Sequence, residues 1–207
     1  MSEGYQVVII GEGSVGKSAL CLQFVREVFS VEYSPTIEDT YNKTIKVDSH
    51  TVTFNLIDTA GQEEYVALRE QYYLKGDGFV LVYSIENKSS FMAIGNHKDS
   101  ISVIRPDGDV ALILAGNKCD LEEQRVVSKA DGEALAKSYG IDFFETSAAK
   151  RINVDELFIA LGRKLLQINH KGEDAPNTTS PSNEKKPEKN EKPKKEKGKK
   201  KGGCIMV

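Results

Sequence analysis

The 207-residue sequence predicts an α/β fold: a six-stranded, mostly parallel sheet with one antiparallel strand and helices on both faces. Two observations predict it. Up to about residue 169, apolar runs of strand length alternate with amphipathic stretches of helical length, the pattern that right-handed crossovers between parallel strands require. Around residues 39–57, two strand-like runs separated only by Asp48-Ser49-His50 break that alternation and read as a hairpin, which supplies the antiparallel strand.

Each element follows from its residues. Tyr5–Ile10, Thr51–Ile57, Gly78–Tyr83, Val110–Ala115 and Ile141–Phe144 are short runs rich in β-branched and aromatic side chains, and Asp39–Val47 is the first arm of the hairpin. Between them, ALCLQFV after residue 18 reads as helix. The stretch 88–104 carries Phe91, Ile94, Ile101 and Ile104 at helical spacings. Ser128 with Asp131 resembles a capping box. Asn153 and Glu156 are placed to cap a helix whose Val154, Leu157, Phe158, Leu161 and Leu165 form one stripe.

Composition divides the chain. Residues 170–207 hold 11 Lys against 6 acids and 1–169 hold 17 Lys and Arg against 25 acids, so a basic tail follows an acidic body. The tail NTTSPSNEKKPEKNEKPKKEKGKKKGG is too polar to bury the surface that ordering requires, and reads as a disordered Lys/Pro-rich linker. The expected organisation is a domain over 1–169, a linker over 170–203 and a terminal tetrapeptide over 204–207. An acidic body argues against nucleic-acid binding. Cys21, Cys119 and Cys204 are few, odd in number and far apart, which suits neither a disulfide framework nor a zinc site. No run of about 18 apolar residues occurs, the N-terminus has no signal-peptide pattern, and Ser2 excludes myristoylation. His50, His97 and His170 read as surface or turn residues.

The stretch that packing alone does not explain is GEGSVGKS, residues 11–18. It matches G-x-x-x-x-G-K-[ST], with a strand before it and a helix after it. Glycines let the turn close, so that backbone N–H groups of residues 13–18 converge on phosphate oxygens at a helix N-terminus. Lys17 would reach the β- and γ-phosphates and the Ser18 hydroxyl would ligate Mg²⁺. Such a loop serves ATP or GTP. The base reader is Asn117-Lys118-Cys119-Asp120, at the C-terminal end of a strand, where open α/β sheets bind ligands. A carboxylate accepts two hydrogen bonds. Guanine offers N1–H and N2–H₂ side by side and adenine does not, so Asp120 selects guanine.

Five motifs stand in order: GEGSVGKS, YSPTIEDTY (33–41), DTAGQE (58–63), NKCD (117–120) and ETSAA (145–149). On these the sequence resembles the Ras family of small GTPases over about residues 5–168 and at the C-terminus. The resemblance implies a P-loop NTPase fold binding GDP or GTP with Mg²⁺. It implies a nucleotide site of Gly13, Ser14, Val15, Gly16, Lys17, Ser18, Ala19, Phe29, Pro35, Thr36, Gly61, Asn117, Lys118, Asp120, Leu121, Ser147, Ala148 and Ala149. Ser18, Thr36 and Asp58 would hold the metal. Lys17, Thr36, Gly61 and Gln62 would carry hydrolysis, with Gln62 orienting the water. Phe29 would lie beside the guanine and Ala148 would donate to its O6. Tyr33, Ser34, Pro35, Thr36, Ile37, Glu38, Asp39, Thr40 and Tyr41 would meet effectors.

The implied partners are a guanine-nucleotide exchange factor, a GTPase-activating protein supplying an arginine finger, and effectors with Ras-binding-type domains, the chain itself being a monomer. Without an arginine of its own at the finger position, intrinsic hydrolysis is expected to be slow. Cys204-Ile205-Met206-Val207 is a C-a-a-X prenylation signal, and with KPKKEKGKKK upstream it implies a lipid anchor on an anionic membrane, at the cytoplasmic face of the plasma membrane. Four residues depart from the family pattern. Glu12 stands where a small residue is usual and is expected to point away from the phosphates. Ser14 replaces a common glycine, Ser34 a common aspartate, and Ala149 the lysine whose stem covers the guanine.

Overall fold

The computed structural model describes residues 4–30, 38–59 and 66–173. In chain order the elements are β1 (Tyr5–Ile10), α1 (Lys17–Arg26), β2 (Glu38–Val47), β3 (His50–Thr59), α2 (Val66–Lys75), β4 (Gly78–Ser84), α3 (Lys88–Ile104), β5 (Ala111–Asn117), α4 (Lys129–Tyr139), β6 (Asp142–Glu145) and α5 (Val154–Glu173). The six strands form one sheet in the order β2-β3-β1-β4-β5-β6. Of the pairs between these strands, among the described residues, β2–β3 alone is antiparallel, running in register from Glu38 opposite Thr59 to Val47 opposite His50. The expected fold class holds.

Alternation along the strands sorts the core onto two faces. Val7, Ile9, Val80, Val82, Ile113 and Ala115 point to one face and pack on α1 and α5. Val8, Ile10, Phe79, Leu81, Tyr83 and Leu114 point to the other, with Tyr72, Tyr73, Ile94, Ile101 and Ala136 from α2, α3 and α4. Strands buried on both faces read as continuous apolar runs, which is why QVVII and FVLVY carry little polar alternation. The predicted stripe on α5 is the one that packs. Phe158 stacks on Phe24 of α1 with ring centroids 3.9 Å apart and planes within 18°.

Several expectations needed adjustment. Strands β3, β4 and β5 run to Thr59, Ser84 and Asn117, past the ends of their apolar runs, because ladder hydrogen bonds continue into the polar residues of the site. Helix α5 runs from Val154 through Glu173. Ser128 caps α4 as expected, accepting from Asp131 N–H at 3.1 Å. Asn153 lies at φ 53, and its side-chain amide donates to the Glu145 carbonyl at 2.7 Å, so it ties α5 to the strand before it. His97 is a core residue: it is 5% exposed, with Nδ1 3.0 Å from the Tyr73 hydroxyl.

Candidate nucleotide site

The switch in strand order lies at β1, which has β3 on one side and β4 on the other, and ligands in open α/β sheets bind where such an order reverses. The C-terminal ends of β1, β3 and β5 meet there. After Ile10, residues 11–16 turn into α1. Gly16 stands at the helix N-cap with φ 93 and ψ 31 and, having no side chain, brings no cap of its own to that end. The first N–H groups of α1 point out of the helix end, where an anion is favoured. Ser14, also in the loop, lies at φ 61, a left-handed conformation that a glycine would adopt without strain. This is a physical reason for glycine being common at that position. Lys17 is buried, its ammonium donating to the carbonyls of Gly11 at 2.9 Å and Glu12 at 2.8 Å, so the loop aims its own cation.

Asp58, on β3, stands in register with Ile9 of β1 and Asp39 of β2 and is fully buried. Its carboxyl is held up at about 6, by burial above all. Within that net value the Ser18 hydroxyl and the Lys17 ammonium act downward and the Asp39 charge upward. Among the described residues neither Asp58 oxygen has a hydrogen-bond partner of ordinary geometry, and the Ser18 hydroxyl stands close by. A buried carboxylate short of hydrogen bonds, beside a hydroxyl at a helix N-terminus, is a hard-oxygen pair that fits Mg²⁺. Thr59, next along β3, is turned away and donates to the Ile9 carbonyl at 2.8 Å.

The base-reading motifs are stitched to one another and to the phosphate loop. Asn117 is 1% exposed and its amide Nδ2 donates to the Val15 carbonyl at 2.9 Å, while its Oδ1 accepts from the Thr146 hydroxyl at 3.1 Å. The Cys119 N–H donates to the Thr146 carbonyl at 3.0 Å, and the Thr146 N–H to the Gly116 carbonyl at 2.9 Å. Asp120 accepts from the Ser147 hydroxyl at 2.5 Å, and Ser147 in turn accepts from the Lys150 N–H at 2.9 Å. Ala148 is buried behind them and Ala149 is exposed. A side chain of each loop thus orients the other's. Burial, then the nearby carboxylates of Glu145 and Asp120, hold the Cys119 thiol above its ordinary value, so it is protonated at neutral pH.

The loop, Asp58 and the NKCD and ETSAA segments converge on one site. A scan against protein-family models matches the Ras family over residues 6–167. The chain belongs to the Ras family. Among curated proteins it is similar to the Ras-like protein rasB of Dictyostelium discoideum, with 40% identity over 207 residues covering 100% of this chain and 99% of the relative. Members of this family bind GDP and GTP and hydrolyse GTP, and the geometry of this Ras-family chain is consistent with both.

Some expected residues lie elsewhere. Tyr33, Ser34, Pro35, Thr36, Ile37, Gly61, Gln62 and Cys204 fall outside the described residues. Phe29 is 42% exposed, an aromatic face open to solvent just beyond α1. Glu12 lines a cavity of about 680 Å³ with Tyr73 and His97, between the loop and the α2–α3 pair.

Three charged side chains around the site carry no motif. Glu86 pairs with the Lys118 ammonium at 2.5 Å. Arg125 binds Glu122 and Glu145 together. Arg151 joins Glu27, at the end of α1, to Asp155 of α5. The partners stand 32, 20 and 124 residues apart for Glu86, Glu145 and Glu27, so no local pattern in the sequence announces them.

Proposed function

We propose that this Ras-family chain is a membrane-tethered signalling switch that holds GDP or GTP with Mg²⁺ and hydrolyses GTP slowly until a partner completes the site. The observation that carries the reading is Asn117, whose single amide fastens the phosphate loop to both base-reading segments. Phosphate binding and base choice are thereby one structural event.

Backbone N–H groups of Gly13, Ser14, Val15, Gly16, Lys17, Ser18 and Ala19 hold the phosphates, and Lys17 balances charge on the β- and γ-phosphates. Ser18 and Asp58, with Thr36, would hold Mg²⁺, which would supply positive charge against the phosphate oxygens. Asp120 accepts from guanine N1–H and N2–H₂, Ala148 donates to O6, and Phe29, Lys118, Leu121 and Ala149 border the base and ribose. Gln62 orients the attacking water. Thr36 and Gly61 engage the γ-phosphate, and its loss releases segments 33–41 and 59–75. A GTPase-activating protein's arginine accelerates hydrolysis by about 10³–10⁵-fold, and an exchange factor releases GDP.

Effector docking is supported by the position of β2 at the sheet edge, where Glu38, Asp39 and Thr40 are exposed and Tyr41 is half-buried. An acidic, unpaired edge suits a partner that adds a strand and carries basic side chains. Among the described residues no helix is long and apolar enough to cross a membrane. Attachment to an anionic membrane, the plasma membrane foremost, falls to a prenyl group on Cys204 and the lysines of 170–203.

Single-turnover release of phosphate from GTP-loaded protein tests the switch. Slow intrinsic release that a GTPase-activating protein accelerates, and that Gln62→Leu no longer lets it accelerate, is the expected result. No release under either condition would make the chain a binding adaptor instead.

A further inference from the structure

Arg125 lies on the strap 122–127 that follows the NKCD segment. Backbone hydrogen bonds fix that strap: the N–H groups of Val126 and Val127 both donate to the Ile85 carbonyl at 2.9 and 3.0 Å, and Ile85 N–H donates to the Asn117 carbonyl at 3.1 Å. From this anchored base the guanidinium spends every face. Nε and Nη2 donate to the two oxygens of Glu122 at 2.8 and 2.7 Å. Nη1 and Nη2 donate to the two oxygens of Glu145 at 2.5 and 3.1 Å, and Nη1 also donates to the Val127 carbonyl at 3.0 Å.

The pair with Glu145 is the sheltered one. Arg125 and Glu145 side chains are 16% and 12% exposed, whereas Glu122 is 68% exposed. A planar fork held by two carboxylates fixes distance and orientation together, which a flexible ammonium does not. Glu145 is the residue from which Thr146, Ser147 and Ala148 lead off, and Glu122 closely follows Asp120.

We propose that Arg125 is a positioning residue: it holds the NKCD and ETSAA segments at one separation, and thereby sets base selectivity and the lifetime of bound nucleotide. The inference rests on the reading above that Asp120 and Ala148 face guanine. Asp120 is aimed by Ser147, which belongs to the other segment. If the two segments drift apart, the carboxylate and the O6 donor no longer meet one base edge at once. The loss falls first on recognition of the base, because the hydrogen bonds of Arg125 go to Glu122, Val127 and Glu145 and none goes to the phosphate loop.

The test compares GDP with IDP, which lacks the 2-amino group, on the full chain with Mg²⁺ by competition against a fluorescent GDP analogue. Wild type is expected to prefer GDP by about 10- to 150-fold, the value of one hydrogen bond to a charged acceptor. In Arg125→Gln the preference is expected to fall at least five-fold and GDP release to quicken at least ten-fold. Arg125→Lys, which keeps the charge but loses the fork, is expected to lie between, and it serves if Arg125→Gln does not fold. Thermal unfolding is followed alongside, because a merely structural role lowers stability without altering the GDP-to-IDP ratio. Variants that keep the wild-type ratio, whatever their release rates, overturn the clamp while leaving the base reading intact. A wild type that binds GDP and IDP alike overturns the base reading and the clamp with it.

Discussion

Replacing Gly16 with alanine tests how tightly the phosphate loop is keyed to the base-reading segments. At φ 93 a non-glycine residue carries a backbone penalty of about 1–2 kcal/mol. The added methyl would lie 2.4 Å from Nδ2 of Asn117, well inside contact distance. Asn117 must move, and its bond to the Val15 carbonyl is lost, leaving a buried acceptor unsatisfied at about 1–3 kcal/mol. Together these give about 2–5 kcal/mol.

Whether the loop stays strained or relaxes out of shape, the loss appears in thermal unfolding at a fixed excess of GDP and Mg²⁺, since nucleotide binds only the folded loop. At 2–4 °C per kcal/mol for a chain of this size, the melting temperature should fall by about 4–20 °C. Gly140→Ala is the control, because Gly140 lies at φ 67 with nothing within 4 Å of the added methyl. It carries the backbone penalty alone and should fall by about 2–8 °C. Equal shifts for the two variants would refute the reasoning, for they would mean that the contact with Asn117 carries no energy.

Two further outcomes are expected. The Tyr83 hydroxyl is buried against Gly116 and Gly132 and has no hydrogen-bond partner among the described residues, so Tyr83→Phe should hold or raise stability by about 1 kcal/mol in urea unfolding; a comparable loss would reveal a partner. Cys204→Ser should move the protein from the membrane to the soluble fraction of a cell lysate, and continued sedimentation with membranes would show that the terminal cysteine is not the anchor.

The parts of this molecule that were legible in its sequence are those written in local geometry. The strand QVVII and the helix 88–104 declare themselves by apolar period alone. The phosphate loop declares itself because the turn into α1 demands glycine at Gly16. The motif order was enough to place Asp58, Asn117 and Asp120 around one site. What the sequence withheld is long-range. Nothing near Arg125 predicts that Glu145 lies across the site from it, nor does Lys118 announce Glu86, because neither pair shares a helix face or a strand register. His97 was misread for the same reason: its burial is decided by Tyr73 of α2, an element packed on it from elsewhere in the chain. Asn153 has the composition of a helix cap, yet its amide also satisfies a strand carbonyl, a competition that spacing does not reveal.

The reading of the base is the claim on which the rest depends, and Asp120→Asn tests it most directly. An asparagine accepts from one edge group and donates to the next, which mismatches guanine at its 2-amino group and matches xanthine at its 2-carbonyl. The account predicts that GDP affinity falls roughly 10²–10⁴-fold while XDP affinity rises above it. A variant that still prefers GDP to XDP would place the base somewhere other than against Asp120, and would contradict the account.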